Sequence, residues 1–364
     1  MSATTANTSP AAAAPGLILA LDLGKYKTVA CAYDRPTAQA TFGTLTTSRD
    51  ELRKLFARHR PAVVVIEACA LAGWVHDLCG ELGLNCLVAN TASEAWKFKH
   101  AQRKTDRDDA LRLAQLQALG QLPTVAVPDV QTRQWRALIA YRQGQVGRRV
   151  ALQNRVRAVL VGQGLPAPRG AKAWTVRGLQ GIAQYARPLA DCADEELWRG
   201  LLHAALAELA QVRVRIDDAE AKLDTLAKRR HAVHVLETIP GVGPRTAETV
   251  AAFLGDPHRF DNAKQVSAYG GLVPRPFPSG ESDRRGRITR RGPALLRQLL
   301  VEGAWVMLRY NAWARSVYQR LTRGGTTRKK QAIVALARTL LVRCWAMLRD
   351  DTPWRETPAA APAC

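Results

Sequence analysis

Three short apolar segments open the ordered part of the chain: 16–24 (GLILALDLG), 27–34 (KTVACAYD) and 39–46 (QATFGTLT). Only two and four residues separate them. A parallel connection needs a crossover of about a dozen residues, so turns this short force antiparallel neighbours. SRDELRKLFARHR (48–60) follows with helical spacing, Ser48 as N-cap and Glu51 completing a capping box. AVVVIEA (62–68) is an unbroken apolar run, as a strand covered on both faces requires. An amphipathic helix over 72–82 and a strand over 85–90 (NCLVAN) close the series.

Three antiparallel strands, then helix, strand, helix and strand, is the order of a ribonuclease-H-like α/β sheet, expected over 16–125, with its first and fourth strands side by side. Residues 126–232 read as helical. TRQWRALIAYRQGQVGRRVALQNRVRAVL (133–161) and the stretch 195–230 are long and periodic, and Leu202, Leu206, Leu209, Val212, Ile216, Ala219, Leu223 and Leu226 keep a spacing of three and four. The pattern fits a helical hairpin, two bundle helices or a dimerising coiled coil. Residues 167–194 have weak periodicity and no assignment. A C-terminal domain is expected over 233–350, and tails 1–15 and 351–364 are expected to be disordered.

LETIPGVGPRTAETVAAFLG (236–255) has the pattern of a helix-hairpin-helix, in which Gly241 and Gly243 let backbone amides approach a phosphate ahead of a helix N-terminus. A plain helix turn fits the same residues. SGESDRRGRITRRGPALLRQLL (279–300) concentrates Arg284, Arg285, Arg287, Arg290, Arg291 and Arg297 in what reads as an extended loop before a helix at 293–309. Guanidinium groups match phosphate oxygens. A last basic amphipathic helix is expected over 328–349.

Charge supports a polyanionic partner. The formal net charge is +22, with 13 Lys and Arg against 11 Asp and Glu in residues 1–110, and 40 against 20 thereafter. Counterion release drives a polycation of this kind onto nucleic acid. The seven cysteines form no C-x-x-C pair and suggest buried reduced thiols in a cytoplasmic protein. The N-terminus lacks the basic and apolar regions of a signal peptide, and no stretch reaches the ~18 continuous apolar residues of a membrane span.

Against this background four acids stand out. Asp22 interrupts the first strand, Glu67 ends the most apolar one, and Asp106 and Asp109 open a helix three residues apart, on one face. The sheet order places Asp22 beside Glu67, and a helix across that end adds the other two. Several carboxylates are what Mg²⁺, or Mn²⁺, requires, and such ions stabilise in-line displacement at a phosphodiester. Singly, each acid also suits a turn or a helix start, with Asp106 as an N-cap. Asp108 points away and reads as a surface residue or a support to the others.

Six blocks in order, LALDLGKYKT, VVVIEACALAG, KTDRDDALRLA, LETIPGVGPRTAETVAAFLGD, HRFDNAKQVSAYGGLVPRPFPSG and GRITRRGPALLRQLL, resemble transposases of the insertion-sequence 110 family over roughly residues 16–350. The resemblance implies a RuvC-like domain with a DEDD metal tetrad (Asp22, Glu67, Asp106 and Asp109) and a C-terminal transposase domain with a nucleophilic serine. Ser279 matches the family's Ser-Gly, with Ser282 and Ser267 as the other candidates. It further implies donor and target DNA, a noncoding bridge RNA, a dimer or tetramer with sites completed between protomers, and a cytoplasmic, nucleoid-associated protein. One departure is Ala68-Cys69-Ala70, where the family has a Thr-Gly or similar small pair after the glutamate. The competing readings are a Holliday-junction resolvase or related nuclease using metal-activated water, an actin-like sugar kinase, for which a second phosphate-binding hairpin is missing, and a non-catalytic nucleic-acid-binding protein.

Overall fold

A computed structural model describes residues 16–90, 105–166, 168–279, 282–325 and 327–355; of 276–279 and 282–285 it describes the backbone. The expected N-terminal tail and residues 356–364 lie outside the described residues. The chain divides into two compact units between Val130 and Gln131.

In the first unit, β1 (Leu17–Leu23), β2 (Lys27–Asp34) and β3 (Ala40–Thr46) form the expected antiparallel series. The helices α1 (Arg49–His59) and α2 (Ala72–Glu81) alternate with β4 (Val63–Glu67) and β5 (Cys86–Ala89). The sheet order is β3-β2-β1-β4-β5, with β1–β4 and β4–β5 parallel. Strand alternation divides the apolar side chains between two faces. Leu19, Leu21, Val64 and Ile66 pack with Leu52 and Phe56 of α1 and Val75 and Leu78 of α2. Ile18, Ala20, Val63 and Val65 face the other way, onto Ala110, Leu113 and Ala114 of α3 (Asp106–Ala118).

Helix starts follow the capping chemistry with two corrections. Ser48 accepts from Glu51 N at the head of α1, but Glu51 directs its carboxylate to Lys54 Nζ at 2.8 Å, so the expected box is only half made there. At α3 the box is complete and uses Asp108. Thr105 is the N-cap, not Asp106; its hydroxyl accepts from Asp108 N, and Asp108 Oδ2 accepts from Thr105 N at 3.1 Å. Asp108, left without a definite role by the sequence, thus locks the first turn of α3.

The second unit begins with α4 (Val130–Gly162), a helix of 33 residues. It pairs with α6 (Leu197–Ala227) as an intramolecular antiparallel hairpin: Arg142 Nε meets Glu220 Oε1 at 2.8 Å and Arg148 Nε meets Glu208 Oε1 at 2.7 Å. Leu152, Val156 and Leu160 pack with Leu202, Leu209 and Val212 between them. Leu206 and Leu226 are only half-buried, and Ala205 and Ala227 take the inner positions. The stretch without periodicity holds α5 (Val176–Ala183) and three single 3-10 turns. The helix expected to 230 ends at Ala227, and α7 (His231–Glu237) starts after a short break.

The rest of the unit is built on one core shared by α8 (Pro244–Leu254), α9 (Ala263–Tyr269), α10 (Ala294–Tyr310), α11 (Ala312–Thr322) and α12 (Lys329–Arg349). Trp135 and Ile139 of α4 and Leu223 of α6 reach into it. By length and composition α12 could cross a membrane, but Leu336, Ala337, Leu340 and Leu341 are fully buried in this core. Trp354, counted above with the tail, packs edge-on against Trp313 with centroids 5.3 Å apart, and the Arg343 guanidinium lies over both rings. Cys31, Cys79 and Cys344 are buried as expected, whereas Cys69 is exposed. Burial pushes the Cys31 thiol up to about 11 and that of Cys344 to about 12, so both stay protonated and inert near neutrality.

Instead of an arginine loop, two antiparallel strands pair here, β6 (Pro274–Ser279) and β7 (Ser282–Ile288). At its base Gly271, with φ +64°, has Arg291 O only 1.9 Å from where a Cβ would stand, and Gly292, with φ +81°, has Tyr269 O at 2.0 Å. Only glycine fits either position.

Glu248 on α8 is a fully buried carboxyl, 0% exposed, with neither oxygen hydrogen-bonded and Arg245 Nη2 at 3.3 Å. Burial outweighs the pull of Arg245 and raises it from 4.5 to about 7. Folded Glu248 therefore holds its proton more tightly than the unfolded chain, so its stabilising contribution is complete below pH 4.5, falls between 4.5 and about 7, and is flat above. Thermal melts should show Glu248→Gln gaining on the wild type as pH rises from 5 to 8. A second prediction concerns the α3 cap: Thr105→Ala and Asp108→Ala should each lower stability by about 1 kcal/mol, and the double variant by less than the sum, in denaturant titrations.

Candidate active site

The parallel ladder between β1 and β4 ends on the pair Leu21–Ile66. One residue further stand Asp22 and Glu67, both half-buried. By alternation they share the face of Ala20 and Val65, the face that α3 covers. The direction of α3 decides whether its acids belong to the same end. Tyr33 pairs with Ile18, at the start of β1, and lines one groove with Gln115, Leu116 and Leu119 from the end of α3. The helix therefore runs back along the sheet, and its start lies toward the Asp22 end. Arg107, at that start, lies over the Phe42 ring of β3 with its guanidinium 5.7 Å from the centroid.

Asp109 is buried at 8% exposure and Asp106 is exposed. Three acids in the first turn suit the positive end of the helix dipole. Topology thus brings Asp22, Glu67, Asp106 and Asp109 to one end of one face. Among the described residues, however, no three His, Cys, Asp or Glu side chains stand close enough to share one ion. By chemistry, carboxylates are the donors that a hard divalent cation takes.

The second candidate centre is the β6–β7 hairpin. Ser279 pairs with Ser282 at its closing end, so two of the three candidate serines occupy one tip. Their side chains, and those of Arg284 and Arg285, lie outside the described residues; the backbone register sets Arg284 opposite Phe277 and Arg285 opposite Pro276. Ser267 is buried on α9, which keeps it from an incoming strand. Arg287, Arg290 and Arg291 are exposed. Arg297, counted above with the basic patch, is structural instead: its Nη1 donates to Gly270 O at 3.2 Å and Arg291 O at 3.3 Å. Burial and the neighbouring Arg290 lower its pKa.

The turn between α7 and α8 separates its two glycines. Gly241, with φ +91°, would set a Cβ 2.8 Å from Met307 Cα of α10, so packing alone requires glycine there. Gly243 is exposed with open space around it, and it precedes an α8 start that has no side-chain cap. Asn311 holds the turn in place, donating to Pro240 O at 3.3 Å while capping α11. The sequence reading missed Asn311, although an asparagine before an amphipathic run is a visible cap signal.

Known proteins align with both halves of this arrangement. Residues 19–163 match a transposase family of the IS110 DEDD type, and residues 233–319 match the Transposase IS116/IS110/IS902 family. The chain is 31% identical over 301 residues to the transposase for insertion sequence element IS1111A of Coxiella burnetii, covering 80% of this chain and 79% of that one. It is 30% identical over 311 residues to a probable family 20 transposase of Pseudomonas aeruginosa, covering 84% and 90%. A shorter match, 35% over 127 residues, is to the pilin gene-inverting protein of Moraxella bovis, covering 34% of this chain and 39% of that one. With two family matches in order and relatives at 30–31% identity over most of both chains, the chain belongs to the IS110/IS116 family of transposases.

Proposed function

We propose that the protein cuts and rejoins DNA strands at an insertion-sequence end through a covalent serine intermediate, with Asp22, Glu67, Asp106 and Asp109 as the ligands of a divalent metal. What supports this reading is that Asp22 and Glu67 follow paired residues at neighbouring strand ends and that the acidic first turn of α3 lies toward the same end. No requirement of the fold puts an acid at the end of the most apolar strand, where Glu67 stands. A Mg²⁺ or Mn²⁺ ion there would neutralise charge building up on the scissile phosphodiester. The RuvC-like assignment of the sheet, and the helix-hairpin-helix assignment of α7, α8 and their turn, belong to the same reading.

Ser279 is the nucleophile. Its Oγ attacks phosphorus and gives up its proton, a P–O bond to one strand breaks, and the departing strand keeps a free hydroxyl. Attack by a second strand's hydroxyl reverses the step and releases the serine, so strands are exchanged with no external energy source. Arg284, Arg285 and Arg287 on β7 neutralise the phosphoryl oxygens, and Arg290 and Arg291 extend the basic surface along the DNA. Gly241 and Gly243 shape a turn whose amides and following helix hold a backbone phosphate. Partners are donor and target DNA and a bridge RNA, and the working form is a dimer or tetramer. The relative named for inverting a pilin gene supports a reaction that rejoins as well as cuts.

With the full chain, element DNA and the element's noncoding RNA, Asp22→Asn and Glu67→Gln should lower strand cleavage by at least about a hundredfold and leave RNA binding intact. Ser279→Ala should abolish the denaturation-resistant protein–DNA adduct. Undiminished adduct would remove Ser279 as nucleophile, and cleavage without any adduct in the wild type would favour hydrolysis by water.

A further inference from the structure

We propose that Tyr26, at the tip of the β1–β2 hairpin, is a positioning residue that stacks on a nucleobase beside the phosphate being cut, with Lys25 and Lys27 binding the adjoining phosphates. The inference rests on the reading of Asp22 and Glu67 as metal ligands and adds to it a base-binding subsite.

Tyr26 is 72% exposed and takes no part in either apolar cluster of the sheet. Lys25 and Lys27 are exposed on either side of it, and Lys25 Nζ lies 5.1 Å from the ring centroid. An exposed aromatic on a loose loop would carry little weight. This tip is instead held rigidly. Gly24 N donates to Lys27 O at 3.1 Å, and a Cβ at Gly24 would stand 2.4 Å from that same oxygen. Thr47 then fixes the turn from the end of β3. Its hydroxyl donates to Gly24 O at 2.8 Å, its amide donates to Tyr26 O at 3.0 Å, and its oxygen lies 2.8 Å from the hydroxyl of the fully buried Thr28.

The clamp fixes the backbone of the turn that carries Tyr26 at the Asp22 end of β1. Tyr26 lies four positions after Asp22, a chain length of at most about 14 Å. That is the rise of about four nucleotides of duplex. A strand whose phosphate sits at a metal ion held by these acids would bring its next few bases past the ring. Aromatic rings stack on any base, and lysines bind phosphates without reading sequence, which suits an enzyme acting on varied sites. A rigid platform loses little entropy when the strand docks.

The test uses the full chain with its RNA and an element-end DNA carrying 2-aminopurine at unpaired nucleotides flanking the cleavage site. Wild type, Tyr26→Phe and Tyr26→Trp should quench the probe and cleave alike. Tyr26→Ala should lose the quenching and cleave about tenfold more slowly at subsaturating DNA, with the change in KM rather than kcat. If Tyr26→Ala quenches and cleaves like wild type while Asp22→Asn is inactive, the inference fails and the metal-site reading stands. A defect that neither Phe nor Trp restores would also overturn it, as a structural role for the residue. If Asp22→Asn cleaves like wild type, the metal-site reading fails and takes this inference with it.

Discussion

The parallel pairing of β1 with β4 is the constraint on which the rest of the N-terminal unit depends. It fixes Leu21 against Ile66 and so aligns the two strand ends that carry Asp22 and Glu67. A slip of one residue would turn Glu67 to the opposite face, away from α3. That slip is opposed on both sides of the sheet, because Val64 and Ile66 fill one core while Val63 and Val65 fill the other. The apolar run of β4 thus does two jobs: it buries the centre of the unit, and it sets the position of an acid that contributes nothing to that burial.

Electrostatics divides the labour differently. The chain is strongly basic, yet its first unit gathers acids at one sheet end and stabilises their helix by local means. Thr105 and Asp108 form the capping box at the start of α3. The basic excess lies beyond residue 110, along α4 as well as on β7 and the start of α10. The first unit is thus nearly balanced in charge while the remainder of the chain is a polycation suited to a polyanion.

Much of this was legible in sequence for stated reasons. Turn lengths fixed the antiparallel strands, and the unbroken apolar run marked β4 as central. Asp22 and Glu67 were visible because they interrupt apolar runs, and Asp106 and Asp109 because they share one face at a helix start. Asp108 was not, because the capping-box template expects Glu or Gln three residues after the cap and here a shorter Asp closes the ring. The β6–β7 hairpin was hidden by Pro274, Pro276 and Pro278. Prolines argue against a strand, but at every second position their missing donors fall along one edge, where no partner needs them. Between 167 and 194, single 3-10 turns and a helix of eight residues are too short to build a period. The α4–α6 hairpin was one of three readings, and the Arg142–Glu220 and Arg148–Glu208 pairs select it.

The central claim is that four carboxylates at one sheet end hold a divalent metal. Paramagnetic resonance of Mn²⁺ titrated into the full chain tests it without reference to DNA, RNA or turnover. The account predicts saturable loss of the free-ion signal for the wild type, weakened at least about tenfold by Asp109→Asn and unaffected by Asp108→Asn. Mn²⁺ binding that is the same in Asp22→Asn, Glu67→Gln and Asp109→Asn as in the wild type would contradict it.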